Sequence, residues 1–342
     1  MTLHRRTLLH SLLALPAGGM LARFPHPVHA VPVRNGDELR TALGAVAPGG
    51  TVTLAPGDFG DVSLFELATP DVTLRAQVPG TAVLRAPLLI REAAARARVL
   101  DLAYRGEGEA NLYLSAAVSC AAAHEIRAAD VEVAGCDFGF FPSRAILVRP
   151  SGLRPYIHDC NFHDNRNGDP NPNKHEAIAL GYDNPTSGTS MRARIVGNRM
   201  WNLNVETEAI CVKTSDNTIQ GNTIASSKAG YSNRYGERNL FQDNTSTNAG
   251  GFLVEDRGTR LLGNTINGGG KIKVLAGNTS CATTTNGPHC QATNTYLEGN
   301  SGPLTVGYAY SGMTLPAIGT TVASHSGPIS LAKHTGTTLP GD

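Results

Sequence analysis

An excess of charge of either sign is missing from this 342-residue chain. Its 29 Lys and Arg face 28 Asp and Glu, for a formal net charge of +1. That balance excludes the broad basic surface of a general nucleic-acid binder. Long apolar runs are missing too. The stretch Thr7–Leu21 is broken by His10, Pro16 and the Gly18-Gly19 pair, so no permanent membrane span is expected. None of the six cysteines stands in a CxxC pair, which argues against a thiolate metal site. Strong helix formers do not dominate. What is present instead is abundant Gly (38 residues), Asn and Thr between short β-type runs, with 41% apolar residues to bury. This composition suits an all-β protein with many turns.

The first thirty residues read as an export signal. Arg5 and Arg6 form a charged start, an apolar stretch follows, and Val28-His29-Ala30 places small residues at the −3 and −1 positions of a cleavage site. The Arg pair followed by Leu8 and Leu9 fits twin-arginine export, and an ordinary secretory signal fits as well. A secreted or periplasmic location is expected, and residues 1–30 are set apart from the fold. Such a compartment permits disulfides. Cys281 and Cys290 close the polar loop CATTTNGPHC and are the best candidate pair. Cys120, Cys136, Cys160 and Cys211 lie in apolar strand-like contexts and read as small packed hydrophobes.

A short unit recurs along the chain: Gly-Cys136-Asp-Phe, Asp-Cys160-Asn-Phe, Gly-Asn198-Arg-Met, Gly-Asn222-Thr-Ile, Asp-Asn244-Thr-Ser, Gly-Asn264-Thr-Ile, Gly-Asn278-Thr-Ser and Gly-Asn300-Ser-Gly. The anchors are separated by 24, 38, 24, 22, 20, 14 and 22 residues. Most follow a β-type run such as VEVAG, ARIVG or TRLLG. A period near 22 with one recurrent Asn is the pattern of a parallel β-solenoid, three short strands to a coil. Equivalent positions in successive coils lie about 4.8 Å apart, so the Asn amides are expected to form a ladder at one corner. An Asn at such a bend also tolerates the left-handed conformation. The two Cys anchors should stack at the same inward position. The interval of 38 holds a polar insertion, residues 164–176, expected as an exposed loop. The interval of 14 is too short for a coil and implies a truncated turn. Residues 37–46 read as a short helix capped by Asp37, covering the N-terminal end of the solenoid. One domain over 31–342 is expected.

The segment 204–236 carries the chemistry. Glu206 and Glu208, two apart on an extended strand, face the same way. Carboxylates that close repel unless a cation lies between them, and calcium favours such oxygen ligands. A solvated acidic face is the plain alternative. Lys213 is five positions past Glu208, so a bend or bulge must intervene if the two share a site. Arg234 follows 21 residues later, about one coil, and can stack beside Lys213; a cationic neighbour would lower the lysine's pKa and free a base. Tyr231 and Tyr235 flank the arginine as proton donors, sugar platforms or packing.

Glu206-Thr-Glu208-Ala-Ile-Cys-Val-Lys213-Thr214, with Arg234-Tyr235-Gly236 one coil on, resembles polysaccharide lyase family 6, which includes alginate lyases and the dermatan-cleaving chondroitinase B. That family carries a Glu-x-Glu pair, an Ile, a Lys-Ser and then Arg-His-Gly. Asn173-Lys-His-Glu-Ala-Ile-Ala-Leu-Gly181 is similar to its metal-ligand Asn, eight residues ahead of a glycine, and DELRTALGAVAPGGTVTLAPGDF to its opening cap. The resemblance implies a right-handed parallel β-helix and β-elimination on a uronate polymer, most readily alginate, with a dermatan or chondroitin polymer as alternative. Lys213 would take the C5 proton and Arg234 would neutralise charge. Calcium on Asn173, Glu206 and Glu208 would neutralise the substrate carboxylate. Asn171 and Glu176 share the loop of Asn173. Tyr231, Tyr235, Arg238, Lys174, His175 and Arg257, with His163, Arg166 and Lys228 nearby, are candidate contacts to the anionic polysaccharide. A monomer is expected.

Two departures bear on activity: Thr214 stands for Ser, and Tyr235 for the His beside the arginine. A catalytically silent β-helix that binds polysaccharide is therefore the alternative from another class. A hydrolase of the polygalacturonase type is disfavoured, because the chain has no Asp-Asp pair and no Gly-His-Gly turn.

Overall fold

Each repeat contributes three short strands, and the strands of successive repeats pair in parallel. In the computed structural model this yields, among the described residues, three parallel sheets of 11 strands, each strand bonded to its equivalents one coil before and after. Residues 32–341 are described apart from 61–62, 107–119, 121, 167–173, 182–187 and 279–288; the expected export signal, Asn173 and Cys281 therefore lie outside the described residues. Val31–Asp342 form one compact unit.

Alternation along each strand sets what points inward. On the first sheet the inward column runs Val52, Leu74, Val99, Val133, Ile157, Ile195, Ile219, Phe241, Leu261, Leu297, Val322, each in register with the next. All are buried, at about 1.5–3 kcal/mol each. On the second sheet Phe138 and Phe162 stack with centroids 5.0 Å apart. The third sheet continues the pattern through Ile178, Ile210, Tyr231, Phe252 and Ile272.

The recurrent Asn forms the expected ladder. The amide nitrogen of each of Asn198, Asn222, Asn244 and Asn264 donates to the Oδ1 of the Asn one coil on, ending at Asn300, at 2.9–3.0 Å. Backbone N–H groups reinforce each rung, and the Cys160 N–H donates to Asn198 Oδ1, so the cysteine anchors occupy the same column. The left-handed conformation falls one residue earlier than expected. It belongs to Gly135, Asp159, Gly197, Gly221, Asp243, Gly263 and Gly299, with φ between 53° and 66°. That explains why only Gly or Asp precedes the anchor. Asn278 is not a rung. Asn264 bonds directly to Asn300, so the intervals of 14 and 22 are one coil carrying an insertion, and the Asn278 N–H instead donates to the carbonyl of His289.

The cap is the helix Gly36–Ala45, with Leu39 and Leu43 buried; its N-cap is Asn35, whose side chain accepts from the Glu38 N–H, rather than Asp37. Cys290 is disulfide-bonded, and Cys120, Cys136, Cys160 and Cys211 are buried free thiols. Among the described residues no helix is long and apolar enough to cross a membrane.

Candidate active site

A bulge assembles the site. In the strand Glu208–Val212 the register to the next coil slips between Glu208 and Ile210. Ala209 and Ile210 both join the core, as does Val212. Glu208, Cys211 and Lys213 are thereby left on the outer face of the third sheet, which resolves the odd offset between Glu208 and Lys213. Val212 pairs with Asn233, so Lys213 and Arg234 leave the sheet side by side on neighbouring coils, with backbones roughly one strand spacing apart. The Arg234 N–H donates to the Val212 carbonyl at 2.8 Å.

Three buried carboxylates and three cations converge here. Glu208 accepts from Ser232 Oγ at 2.9 Å and lies 3.3 Å from Arg234 Nη1. Burial pushes its carboxyl up, but Arg234 and the hydrogen bonds of Cys211 and Ser232 outweigh this and hold it below the usual range. Glu176 is buried and bound to the Arg144 Nε at 2.8 Å. Glu206 accepts the His175 N–H at 3.0 Å. Burial first, then the charge of Glu176, pushes it up to about 8. Burial alone would lower Lys213; Cys211, Glu176 and Glu208 more than offset that and raise it above the ordinary lysine range. The expectation that Arg234 lowers Lys213 is thus corrected. The cation acting that way on Lys213 is Arg144, and Cys211, Glu176 and Glu208 together outweigh it.

Glu176 joins the residues expected to hold a metal. Carboxylate oxygens of Glu176 and Glu208 and the sulfur of Cys211 lie within 4.8 Å of one another. Glu176 takes a central place that the Glu-x-Glu pattern did not assign to it, while Glu206 stands beside this group. The carboxylates suit a hard cation such as calcium. The Cys211 thiol does not: it is a soft ligand, and burial, with Glu208 beside it, pushes it well above its usual range, so it stays protonated. The Glu206 carboxyl is raised by burial first and by the charges of Glu176 and Glu208 after it; a divalent cation would relieve the part due to those charges. On chemistry, the donor set fits the ion.

Other candidates fall elsewhere. Tyr231 is not a platform or proton donor. It faces the core, stacks on Phe252 with centroids 4.5 Å apart, and donates its hydroxyl to the carbonyls of Asn222 and Thr245. Tyr235 is buried against Cys290, with the Arg234 guanidinium 5.8 Å from its ring centroid. Arg238 and Arg257 sit at the next corner, both bound to Glu237, with Arg238 also on Asp216. His175 is buried beside Glu206, and the Lys174 carbonyl accepts from Ser143. His163 belongs to the second sheet, between Asp137 and Asp164 and stacked on Trp201, and Arg166 lies over the Phe140 ring.

Sequence reasoning missed Arg144, Ser232 and Glu255. Glu255 leaves the third sheet one coil past Arg234 and is held by His289 Nδ1 at 2.7 Å and the Cys290 N–H at 2.9 Å. The column 213, 234, 255 was readable from the spacing of about 21 residues.

No protein-family model matches the sequence, and no curated protein matches it. Solved structures share the fold. A PL6 alginate lyase in complex with a trisaccharide superposes with a TM-score of 0.66 at 17% identity, covering 90% of this chain and 84% of that one. The PL6 family alginate lyase AlyGC gives 0.63 at 18%, over 85% of this chain but 46% of its own length. A mannuronic acid specific family 6 lyase from human gut microbiota gives 0.58 at 15%, over 88% and 82%. At these identities the likeness establishes the parallel β-helix that these lyases share.

Proposed function

We propose that this protein is an exported polysaccharide lyase that cleaves a uronate polymer, alginate first, by β-elimination. The observation that carries the reading is the side-by-side exit of Lys213 and Arg234 above the Glu176–Glu208 cluster. Support comes from the fold shared with an alginate lyase and a mannuronic acid specific lyase. Export to an oxidising compartment is supported by the disulfide at Cys290.

In the elimination, Lys213 Nζ, in its neutral form, takes the C5 proton of a uronate; the neighbouring carboxylates that favour its charged form would lose that hold once a cation offsets them. The C5–H electron pair becomes the C4=C5 double bond, the C4–O glycosidic bond breaks, and the departing oxygen takes a proton from the Lys213 ammonium so formed or from water, which completes cleavage. Arg234 stabilises the negative charge that builds as C5 loses its proton. Glu208, kept ionised, positions Arg234, and Ser232 fixes Glu208. Glu206, Glu208 and Glu176 would hold calcium, with Asn173 a further ligand from the loop; bound there, the ion neutralises the substrate carboxylate and acidifies C5.

The test is to incubate the purified protein with alginate, polymannuronate, polyguluronate and dermatan and to follow the ultraviolet absorbance of the unsaturated product. Chelator should abolish it and calcium restore it. Unchanged rates in excess chelator would remove the ion from the reading. No unsaturated product from any uronate polymer would leave a silent polysaccharide-binding protein.

A further inference from the structure

We propose that Lys271 and Lys273, with Lys228 at the margin and Tyr308 and Tyr310 as an aromatic wall, form a subsite for a second uronate carboxylate of the polymer, C-terminal to the reacting residue. This rests on the uronate-lyase reading of the same groove.

Register places the subsite. The outward column of the third sheet runs Ala179, Cys211, Ser232, Leu253, Lys273, Thr305. Lys273 thus lies two strand spacings, roughly 10 Å, from Ser232, whose hydroxyl holds Glu208. That separation suits a neighbouring sugar on one bound chain. The two ends of the face differ. Towards the N-terminus, Ala122, Leu147 and Ala179 are fully covered. Towards the C-terminus a groove is lined by Glu208, Ser232, Lys228, Lys271, Lys273 and Tyr310. Its floor comes closest at Gly250 and Gly251. A Cβ on Gly251 would lie 2.0 Å from the Lys271 carbonyl oxygen, so the neighbouring coils close up there without side chains.

Charge identifies the ligand. Several arginines of the solenoid are matched coil to coil, Arg91 with Glu66, Arg96 with Asp71, Arg154 with Asp130 and Arg238 with Asp216, and others, such as Arg194 and Arg260, lie singly over tyrosine rings; the groove instead gathers three cations in one place. Among the described residues Lys228, Lys271 and Lys273 have no acidic partner, and Glu208 is the single acid of the groove. Lys273 Nζ lies 4.7 Å from the Tyr308 ring centroid and 5.8 Å from that of Tyr310; Lys271 Nζ lies 5.9 Å from Tyr308. The rings stand at 79° to each other, and Tyr310 stacks on His289. Burial first, and the neighbouring Lys271 after it, lower the Lys273 pKa. Ammonium groups held over aromatic faces keep their direction, and an exposed tyrosine offers a sugar ring a flat apolar face.

The test uses two readouts. Calorimetry measures binding of an alginate hexasaccharide to Lys213→Ala protein, with and without Lys271→Ala plus Lys273→Ala, and Lys273→Gln serves as a milder variant. In parallel, KM and kcat are measured for the two lysine variants in the otherwise natural chain. The double variant should bind at least tenfold more weakly and raise KM to match, with kcat within about threefold and circular dichroism unchanged. Equal binding by the double variant overturns the subsite, as does absence of any hexasaccharide binding. Tighter binding of a sulfated oligosaccharide through the same lysines overturns the carboxylate assignment. If the natural chain forms no unsaturated product while the lysine-dependent binding persists, the lyase reading falls and the subsite stands.

Discussion

Arg234 reaches across one coil to Glu208, Nη1 to Oε1 at 3.3 Å, and this contact rather than one to Lys213 defines its electrostatic role. It keeps a fully buried carboxylate ionised against its burial. In turn Glu208, foremost among its charged neighbours, raises the guanidinium further above its usual range. Arg234 Nε is buried without a hydrogen-bond partner among the described residues. Arginine therefore serves charge neutralisation and cannot itself be the base.

Lys213→Ala should lose about 10²–10⁴ in turnover, the usual worth of a positioned base, with normal circular dichroism. Arg234→Ala should fall comparably and also leave Glu208 buried without its cation. Because the two act as a unit, the double variant should be little worse than either single. The measurement is unsaturated product from alginate. Near-normal turnover by Lys213→Ala would assign the base elsewhere.

The Asn ladder predicts where stability resides. Asn222 donates to Asn244 and to the Ile195 carbonyl, and accepts from Asn198. Asn222→Ala removes these bonds and strands buried groups on both neighbouring coils, which should cost about 2–4 kcal/mol. Urea unfolding would measure it. Activity well below the melting temperature should stay near normal, since the ladder runs along a different corner from the Lys213–Arg234 column. A loss under 0.5 kcal/mol would mean that the rungs are dispensable.

What the sequence made legible was whatever repeats. The anchor column, the parallel coil and the Lys213–Arg234 stack all follow from a period near 22, because a solenoid turns sequence spacing into spatial adjacency. What it hid depends on side-chain direction. The bulge at Glu208–Ile210 decides which residues face out, and no composition signal marks it. Tyr231 reads like a site residue from its closeness to Arg234, yet alternation puts it inward in register with Ile210 and Phe252. Glu176 was visible in the insertion, but its nearness to Glu208 needs the pairing of Ile178 with Ile210. Asn278 carried the repeat's letters without its place, because an inserted loop can imitate a turn.

Tyr231→Phe separates the inward placement from a catalytic one. It removes a buried hydroxyl that satisfies the carbonyls of Asn222 and Thr245, and should cost about 1–2 kcal/mol of stability. Turnover on alginate should remain within about twofold. A hundredfold loss of turnover with unchanged stability would return the hydroxyl to the substrate groove.

The single tryptophan offers a pH probe remote from the third-sheet groove. Trp201 stacks on His163 with centroids 4.7 Å apart and planes 6° off parallel. His163 sits between Asp137, foremost, and Asp164, which raise its pKa above the ordinary 6.5 despite partial burial. A raised folded value means the imidazolium stabilises the fold fully below about pH 6.5, and that this contribution fades as pH rises through the folded pKa. An imidazolium stacked on an indole quenches its emission. Trp201 fluorescence should therefore be low in acid and rise along a titration centred above 6.5. His163→Gln should abolish that step and flatten the fall in stability over the same window. A titration centred below 6.5 would show that burial, not the two aspartates, governs this histidine.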